Sequence, residues 1–576
     1  MACGQVLIDS GYNVALVVTG NTKVCEWAKQ KNICVIENLK ILEASLADFE
    51  FDFLFSIVNY NILSDQLLKK ARCLAINFHD APLPRYAGVH ATTWAILAGE
   101  KTHGITWHAM NVEVDAGEIL EQVLFPIEDS ETALSLNLKC YEAAIESLKS
   151  LATKLKSYKV VSAAQNRSLR VLFTWAHIFK NNGVLLWHES AEEIDRQIRA
   201  LKFGNYPNGV ASTKLFLENE FIIVDGELAR GSLQQASQGT VVHISAQHLI
   251  VSAAGGNILL KKFTTLSGAK LDLVDIVRKH HLQVGNVIPS LSEAQREQLA
   301  TLSQRCKKHE RYWVTRFKSL VEIFPHAIFP KPQWVNSKST SVSRCKIAQK
   351  NSGEIPKEQH VFASTLIYLS CLNNFKPFIV WISSDNLKQC NKVSMSLFAD
   401  KIPILIEFRE NWSFEKVVQE ANDAVSSAFA RETYELDITT RYLMESEKYR
   451  PDIIYDFSNF EDTNIDENSR IKFHVIEAPN GTELILTQAE NASSVLLDIN
   501  LIAEIHSKIL QNKEGLLNSV ALISSNEYHK QIETWNQTQA AYPSDRTVVE
   551  LFEAQVSLSP EAIAVEGEGV SLSYQA

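Results

Sequence analysis

Short apolar runs separated by helix-like segments constrain the first 125 or so residues more than any other feature of the chain. Gln5 to Ser10 reads as a helix ending at Gly11, a residue suited to a helix C-terminus. Val14–Val18 reads as a strand, Lys23–Lys31 as a helix, Ile33–Ile36 as a strand and Leu39–Phe49 as a helix. Phe51–Val58 then reads as a strand, Ser64–Ala71 as a helix and Cys73–Phe78 as a strand. This alternation predicts an α/β fold with a doubly wound, mostly parallel sheet covered on both faces. The chain opens in a helix, with no strand ahead of it. In such sheets the first strand usually lies centrally. The expectation is therefore a sheet whose first strand is missing, in a chain shortened at its N-terminus.

The pattern changes further on. A long helix is expected from Ser130 to about Ser157, opened by Asp129, Ser130 and Glu131, which suit capping and the first turn. From Lys202 to about Val287 the runs Phe221–Val224, Gly239–His243, His248–Val251 and Asn257–Leu260 are separated by Gly and Asn turns. They predict a small β-barrel or sandwich. Helices are expected at Ser292–Leu299 and around Glu310–Trp313, and a polar loop from Ser337 to Gln359. From Val361 to about Glu533 strands and helices mix as in an α/β domain. Tyr542–Ala576 reads as the opening of another domain. A length of 576 residues at about 150 per domain suggests three to four domains.

The net charge is −11, from 56 Lys+Arg against 67 Asp+Glu. Phosphate contacts need clustered cations, so nucleic acid is not the expected partner. The 9 cysteines are widely spaced, odd in number and form no CxxC pair, which points to reduced thiols in a cytoplasmic protein. The apolar stretch Val361–Ile382 is broken by Asn373-Asn374 and Lys376-Pro377 and is too interrupted to span a membrane. No secretory leader is visible.

The residues richest in chemistry are Asn77-Phe78-His79-Asp80 and the Pro-Leu-Pro loop that follows. They stand at the C-terminal end of an expected strand, where open α/β sheets place ligands. Asn77 and His79 are two apart, so an extended segment turns both to one face. An amide and an imidazole converging on one point can stabilise an oxyanion. Downstream, the expected strand Gly104–Met110 leads into a loop carrying Asp115. An aspartate beside His79 would orient the ring and relay a proton. His108 reads as packing or support for the site. Arg85 could meet an acidic group or lie in solvent. Trp94, Trp107 and Trp187 read as core.

The segments NFHDAPLPRYAGVHATTWAILAGE and HGITWHAMNVEVDAGEIL resemble the signature of the formyltransferases that use N10-formyltetrahydrofolate. The resemblance implies Asn77, His79 and Asp115 as a catalytic trio that needs no metal. FSIVNYNIL resembles the family's pterin-binding strand and loop. This implies contacts to the co-substrate from Val58, Asn59, Tyr60, Val112 and Val114. GVLLWHESAEEIDRQIRAL and the β-rich piece with QGTVVHI resemble the family's C-terminal barrel. The implied domains are 1–160, catalytic, and 161–290, a β-barrel of OB-like kind. Residues 291–533 resemble the C-terminal half of a condensation domain. Residues 534–576 resemble the start of the adenylation domain of a nonribosomal peptide synthetase. The condensation active site needs His-His-x-x-x-Asp-Gly, and His280-His281 lacks the aspartate, so that half is expected to be non-catalytic.

The acceptor implied by this context is an aminoacyl thioester on a carrier protein, supplied by an adenylation domain. Relatives acting on methionyl-tRNA or on nucleotide amino sugars give alternatives. An inactive scaffold or docking fragment is a further one.

Overall fold

The computed structural model describes residues 1–44, 50–157, 159–230, 236–323, 340–347, 358–442, 451–459, 464, 469–478, 481–489 and 497–576. The chain divides into two units, Met1–Asn518 and Ser519–Ala576.

The first unit opens with α1 (Ala2–Asp9), β1 (Leu16–Val18), α2 (Thr22–Gln30), β2 (Cys34–Ile36) and α3 (Leu39–Ala44). The remainder of the helix expected to reach Phe49 lies outside the described residues. β3 (Phe51–Ile57), α4 (Asp65–Leu68), β4 (Ala71–His79), β5 (Ala87–Gly88), α5 (Ala91–Leu97), β6 (Thr102–Ala109) and β7 (Ile119–Pro126) follow. The long helix α6 spans Ala133–Lys156. Its cap is Thr132, in a reciprocal pair with Ser135, and not the expected Asp129–Ser130. The reciprocal arrangement satisfies two free N–H groups at once.

The sheet is mixed, which corrects the expectation of a mostly parallel one. β1 pairs with β2 in parallel, and β3 with β4 in parallel. β4–β6 and β6–β7 are antiparallel. The order β3-β4-β6-β7 forms one sheet, while β1 and β2 pair only with each other. Connection length accounts for the antiparallel β6–β7 pair. β6 and β7 are joined by the short segment Met110–Glu118, and a crossover between parallel strands needs about a dozen residues or more. Gly117 makes that turn feasible. A Cβ there would collide with the Ala109 carbonyl. Under the sheet, Ile76, Phe78, Ile105 and Trp107 pack on Cys140, Leu148 and Leu151 of α6.

The β-rich segment forms a five-stranded antiparallel sheet from Lys214–Leu217, Glu220–Leu228, Val241–Ile244, His248–Ala253 and Gly256–Thr264. Helix α7 (Ala191–Ala200) packs on it, with Ile194 and Ile198 in a core of Leu215, Val224 and Leu260.

Helices Glu293–Lys307 and Glu310–Ile323 come next. A six-stranded sheet then runs in the order Thr340–Lys346, Gly481–Ala489, Ile471–Ala478, Ile453–Asp456, Phe378–Ser383, Lys401–Ile406. Thr340–Lys346 is a strand and not the loop expected there. Its side chains are mostly exposed, so it lacks an apolar signature. Backbone pairing to Gly481–Ala489 defines it.

This later part of the unit shares a core with the β-rich segment. Val184, Leu186, Phe216 and Phe221 pack with Leu299, Leu302, Leu397 and Phe398. Beside this core lies a buried ionic cluster. Lys214 Nζ is 2.7 Å from Asp437 Oδ2, and Arg441 Nε is 2.9 Å from Asp437 Oδ1. Arg441 forks onto Glu310 at 3.1 and 3.2 Å, and Lys307 reaches the same carboxylate at 2.7 Å. The second unit holds helix Val548–Leu558 and the hairpin Ile563–Gly567/Val570–Ser573.

Candidate active site

Asn77 and His79 sit at the last positions of β4, and the antiparallel register sets Asn77 against His108 and His79 against Thr106. Residues two apart on one strand share a face with their cross-strand partners. Asn77, His79 and His108 therefore crowd onto one surface of the sheet. The β6–β7 turn brings Asp115 to that surface in a left-handed conformation, φ 50°. Aspartate tolerates this region better than most residues.

All three side chains converge on the Asp115 carboxylate. Asn77 Nδ2 donates to Oδ1 at 3.3 Å, His108 Nε2 lies 3.3 Å from Oδ1, and His79 Nδ1 lies 3.6 Å from Oδ2. The Gly88 N–H donates to Oδ2 at 2.8 Å. Gly88 has φ +96°, and a Cβ there would fall on the Phe173 carbonyl, so the position requires glycine. Burial pushes the Asp115 carboxyl pKa up. The imidazoles of His79 and His108 and the Gly88 N–H more than offset this, lowering it to about 2. Asp115 is thus an anion at neutral pH although only 9% of its side chain is exposed.

His79 is buried, and its Nε2 is 2.8 Å from the Tyr86 carbonyl oxygen. A carbonyl only accepts, so Nε2 carries a proton there. Nδ1 is left facing Asp115 as the nitrogen that can gain or lose a proton. His108 gives its Nδ1–H to the Ala109 carbonyl at 2.8 Å and turns Nε2 toward Asp115. Asn77 Nδ2 lies 3.1 Å from His108 Nε2 as well as 3.3 Å from Asp115 Oδ1, so its amide joins the two side chains.

The five residues expected to contact the co-substrate lie on the two loops bordering this surface. Val58, φ 52°, and Tyr60 are exposed just beyond the end of β3. Asn59 Nδ2 holds that loop by donating to the Asn61 carbonyl at 3.0 Å. Val112 and Val114 are exposed on the β6–β7 turn. Arg170 donates to the Val114 carbonyl, and Gln165 Nε2 donates to the Asp115 carbonyl at 3.0 Å.

The sequence reading gave His108 as packing or support for the site, and its ring meets the same carboxylate. The signal was its position on the strand paired with β4. Gly88 and Tyr86 act through the backbone, and Gln165 through a side-chain amide far along the chain, so none carries a signal of its own. Arg85 is paired with Glu100. Trp94 stacks on Phe173 with centroids 4.7 Å apart, and Trp107 is fully buried with its N–H on Ser147. His280 caps a helix and lies 2.5 Å from Glu220, a structural role. A cavity of about 700 Å³ lies elsewhere, lined by Arg305, Glu358, Ser384, Cys390, Glu432 and Phe457. Among the described residues no group of three or more His, Cys, Asp and Glu is arranged to hold a metal ion. None of the described helices is long and apolar enough to cross a membrane.

Residues 13–150 match the family described as formyl transferase, and residues 177–281 match the formyl transferase C-terminal domain. A methionyl-tRNA formyltransferase of Legionella pneumophila (strain Corby) is 30% identical over 288 residues, covering 47% of this chain and 88% of that protein. This chain belongs to the formyltransferase family. Two solved structures are also similar. One is an N-formyltransferase from Helicobacter canadensis in complex with folinic acid and dTDP-3-aminofucose. It has 19% identity and a TM-score of 0.37, covering 46% of this chain and 94% of that one. The other is HypX from Aquifex aeolicus in complex with tetrahydrofolic acid. It has 14% identity and a TM-score of 0.37, covering 48% of this chain and 49% of that one. The formyltransferase match ends at residue 281, and the buried cluster of Lys214, Asp437 and Arg441 ties that part to the segments beyond it.

Proposed function

We propose that the chain transfers a formyl group from N10-formyltetrahydrofolate to the free amine of an aminoacyl thioester on a carrier protein, with Asn77, His79 and Asp115 as catalytic residues. The observation that carries the reading is the buried Asp115 carboxylate, met within 3.6 Å by Asn77, His79 and His108. The exposed apolar side chains of Val58, Tyr60, Val112 and Val114 offer the faces a pterin ring needs beside polar backbone.

The residues divide the work as follows. When the amine nitrogen bonds to the formyl carbon, the formyl oxygen becomes negative. An N–H of Asn77, turned onto the oxygen from its contact with His108, and a proton on His79 Nδ1 stabilise it, each such donor contributing roughly 10²–10³ in rate. Asp115 orients the His79 ring and takes the proton the amine sheds, directly or through water. On collapse the bond from carbon to N10 breaks, and that nitrogen takes up a proton. General acid–base help of this kind contributes roughly 10²–10⁴.

The acceptor rests on the resemblance of residues 291–533 to half a condensation domain and of 534–576 to the opening of an adenylation domain. The name of the Legionella relative supports a second reading, methionyl-tRNA as acceptor. A net charge of −11 weighs against a polyanionic acceptor. Formyl transfer assayed side by side with an aminoacyl carrier protein and charged initiator tRNA tests this. Product on the thioester alone supports the reading, and product on the tRNA overturns the acceptor.

A further inference from the structure

The wall of the site receives a residue from beyond the family-matched segments. Trp175 is half-buried between them, and three elements meet on its ring. Tyr60, from the loop after β3, packs edge-on with centroids 5.6 Å apart. His90, two residues past the Gly88 that binds Asp115, packs edge-on at 5.0 Å. Arg311, near the start of helix Glu310–Ile323, holds its guanidinium over the ring at 5.6 Å from the centroid.

This wall is braced from the far side. Gly209 lies so close to His90 and Trp175 that a Cβ would crowd both rings. Lys307 Nζ donates to the Gly209 carbonyl at 2.8 Å. Arg441 donates to the neighbouring Asn208 carbonyl at 3.1 Å. Lys307 and Arg441 are committed to Glu310 and Asp437. Arg311 differs from them. It is exposed, and among the described residues no carboxylate pairs with it. A guanidinium over an aromatic face keeps N–H donors free, and its fork matches phosphate oxygens.

We propose that Arg311, held by Trp175, is an anion-binding residue at the rim of the transfer site and takes the phosphate on the arm of the carrier-bound acceptor. The inference rests on the formyl-transfer reading for the identity of the arm. The exposure of Arg311, its lack of a carboxylate partner among the described residues and its contact with the ring that joins Tyr60 to His90 are independent of that reading.

The test is calorimetric binding to the full chain of an aminoacyl-pantetheine amide, with and without its 4′-phosphate. The wild-type chain should bind the phosphorylated probe about tenfold more tightly, the scale of one charge-assisted contact. The preference should vanish in Arg311→Ala and persist in part in Arg311→Lys. Equal binding of the two probes by the wild-type chain, or a preference unchanged in Arg311→Ala, overturns the proposal. So does a loss confined to formyl-folate donors with several glutamates, which would assign the anion to the donor. A phosphate preference without formyl transfer leaves the rim intact and removes the function proposed above. Transfer without a phosphate preference does the reverse.

Discussion

Asp115 and Asp437, two of the carboxylates that the first unit holds in cationic surroundings, serve different ends. Asp437 is fully buried and met by Lys214 and Arg441, with Ser212 N–H on Oδ2 at 3.2 Å. Burial raises its pKa, but those cations hold the carboxyl far below the usual range. Burial lowers the Arg441 pKa, but Asp437 and Glu310 raise it well above the ordinary value, so its charge is fixed. Asp115 is instead met by two imidazoles and an amide. These groups can offer hydrogen bonds to a ligand as well as to the carboxylate. A saturated cluster with permanent charges is structure. A buried anion facing imidazoles and an amide at a strand end is the arrangement that the proposed transfer uses.

The largest expected effect falls on the second kind. Asp115→Asn removes the charge but keeps the shape, so turnover should drop roughly 10²–10⁴-fold while the circular dichroism spectrum is unchanged. Near-normal turnover would break the comparison. Asp437→Ala should do the opposite. It leaves Lys214 and Arg441 buried without a counter-charge, which costs about 3–5 kcal/mol of stability. The readout is urea unfolding, and turnover per folded molecule in the absence of urea should hold. A fall in turnover at unchanged stability would show that the cluster is not structural.

Smaller effects sharpen the contrast. Asn77→Ala should lower kcat roughly 10²–10³-fold, with no change in the unfolding midpoint. Acid titration separates the clusters further. Burial raises the Glu310 pKa, but Arg441 and Lys307 lower it overall to about 2. The unfolded chain takes up this proton near the ordinary glutamate value of about 4.3. Between those values the unfolded state binds more protons, so stability rises with pH there and is lost as pH falls from about 5 to 2. Glu310→Gln should flatten that part of the acid unfolding curve. An unchanged slope would place the acid sensitivity elsewhere.

The same contrast explains what the sequence disclosed. Asn77, His79 and Asp115 were legible because strand period, a stiff Pro-Leu-Pro loop and a turn aspartate fall in one short stretch. The described elements of the first 125 or so residues also matched the apolar runs in order, because local periodicity sets them. The direction of β6 and β7 was not legible, since alternation of strands and helices says nothing about a short hairpin. The exposed strand Thr340–Lys346 was missed for want of an apolar face. The Asp437 cluster was invisible because its members, Lys214, Glu310 and Arg441, lie far apart in sequence, and a lone lysine or arginine reads as surface. His108 was seen but undervalued, since its meaning comes from pairing with Asn77 across the sheet.

The most direct test is single-turnover formyl transfer from N10-formyltetrahydrofolate to an aminoacyl carrier protein, comparing the wild-type chain with His79→Ala. The account predicts formylated thioester from the wild type and a loss of about 10²-fold or more in the variant, with the fold retained. Equal rates in the two, or no formyl transfer by the wild type to any amine acceptor, would contradict it.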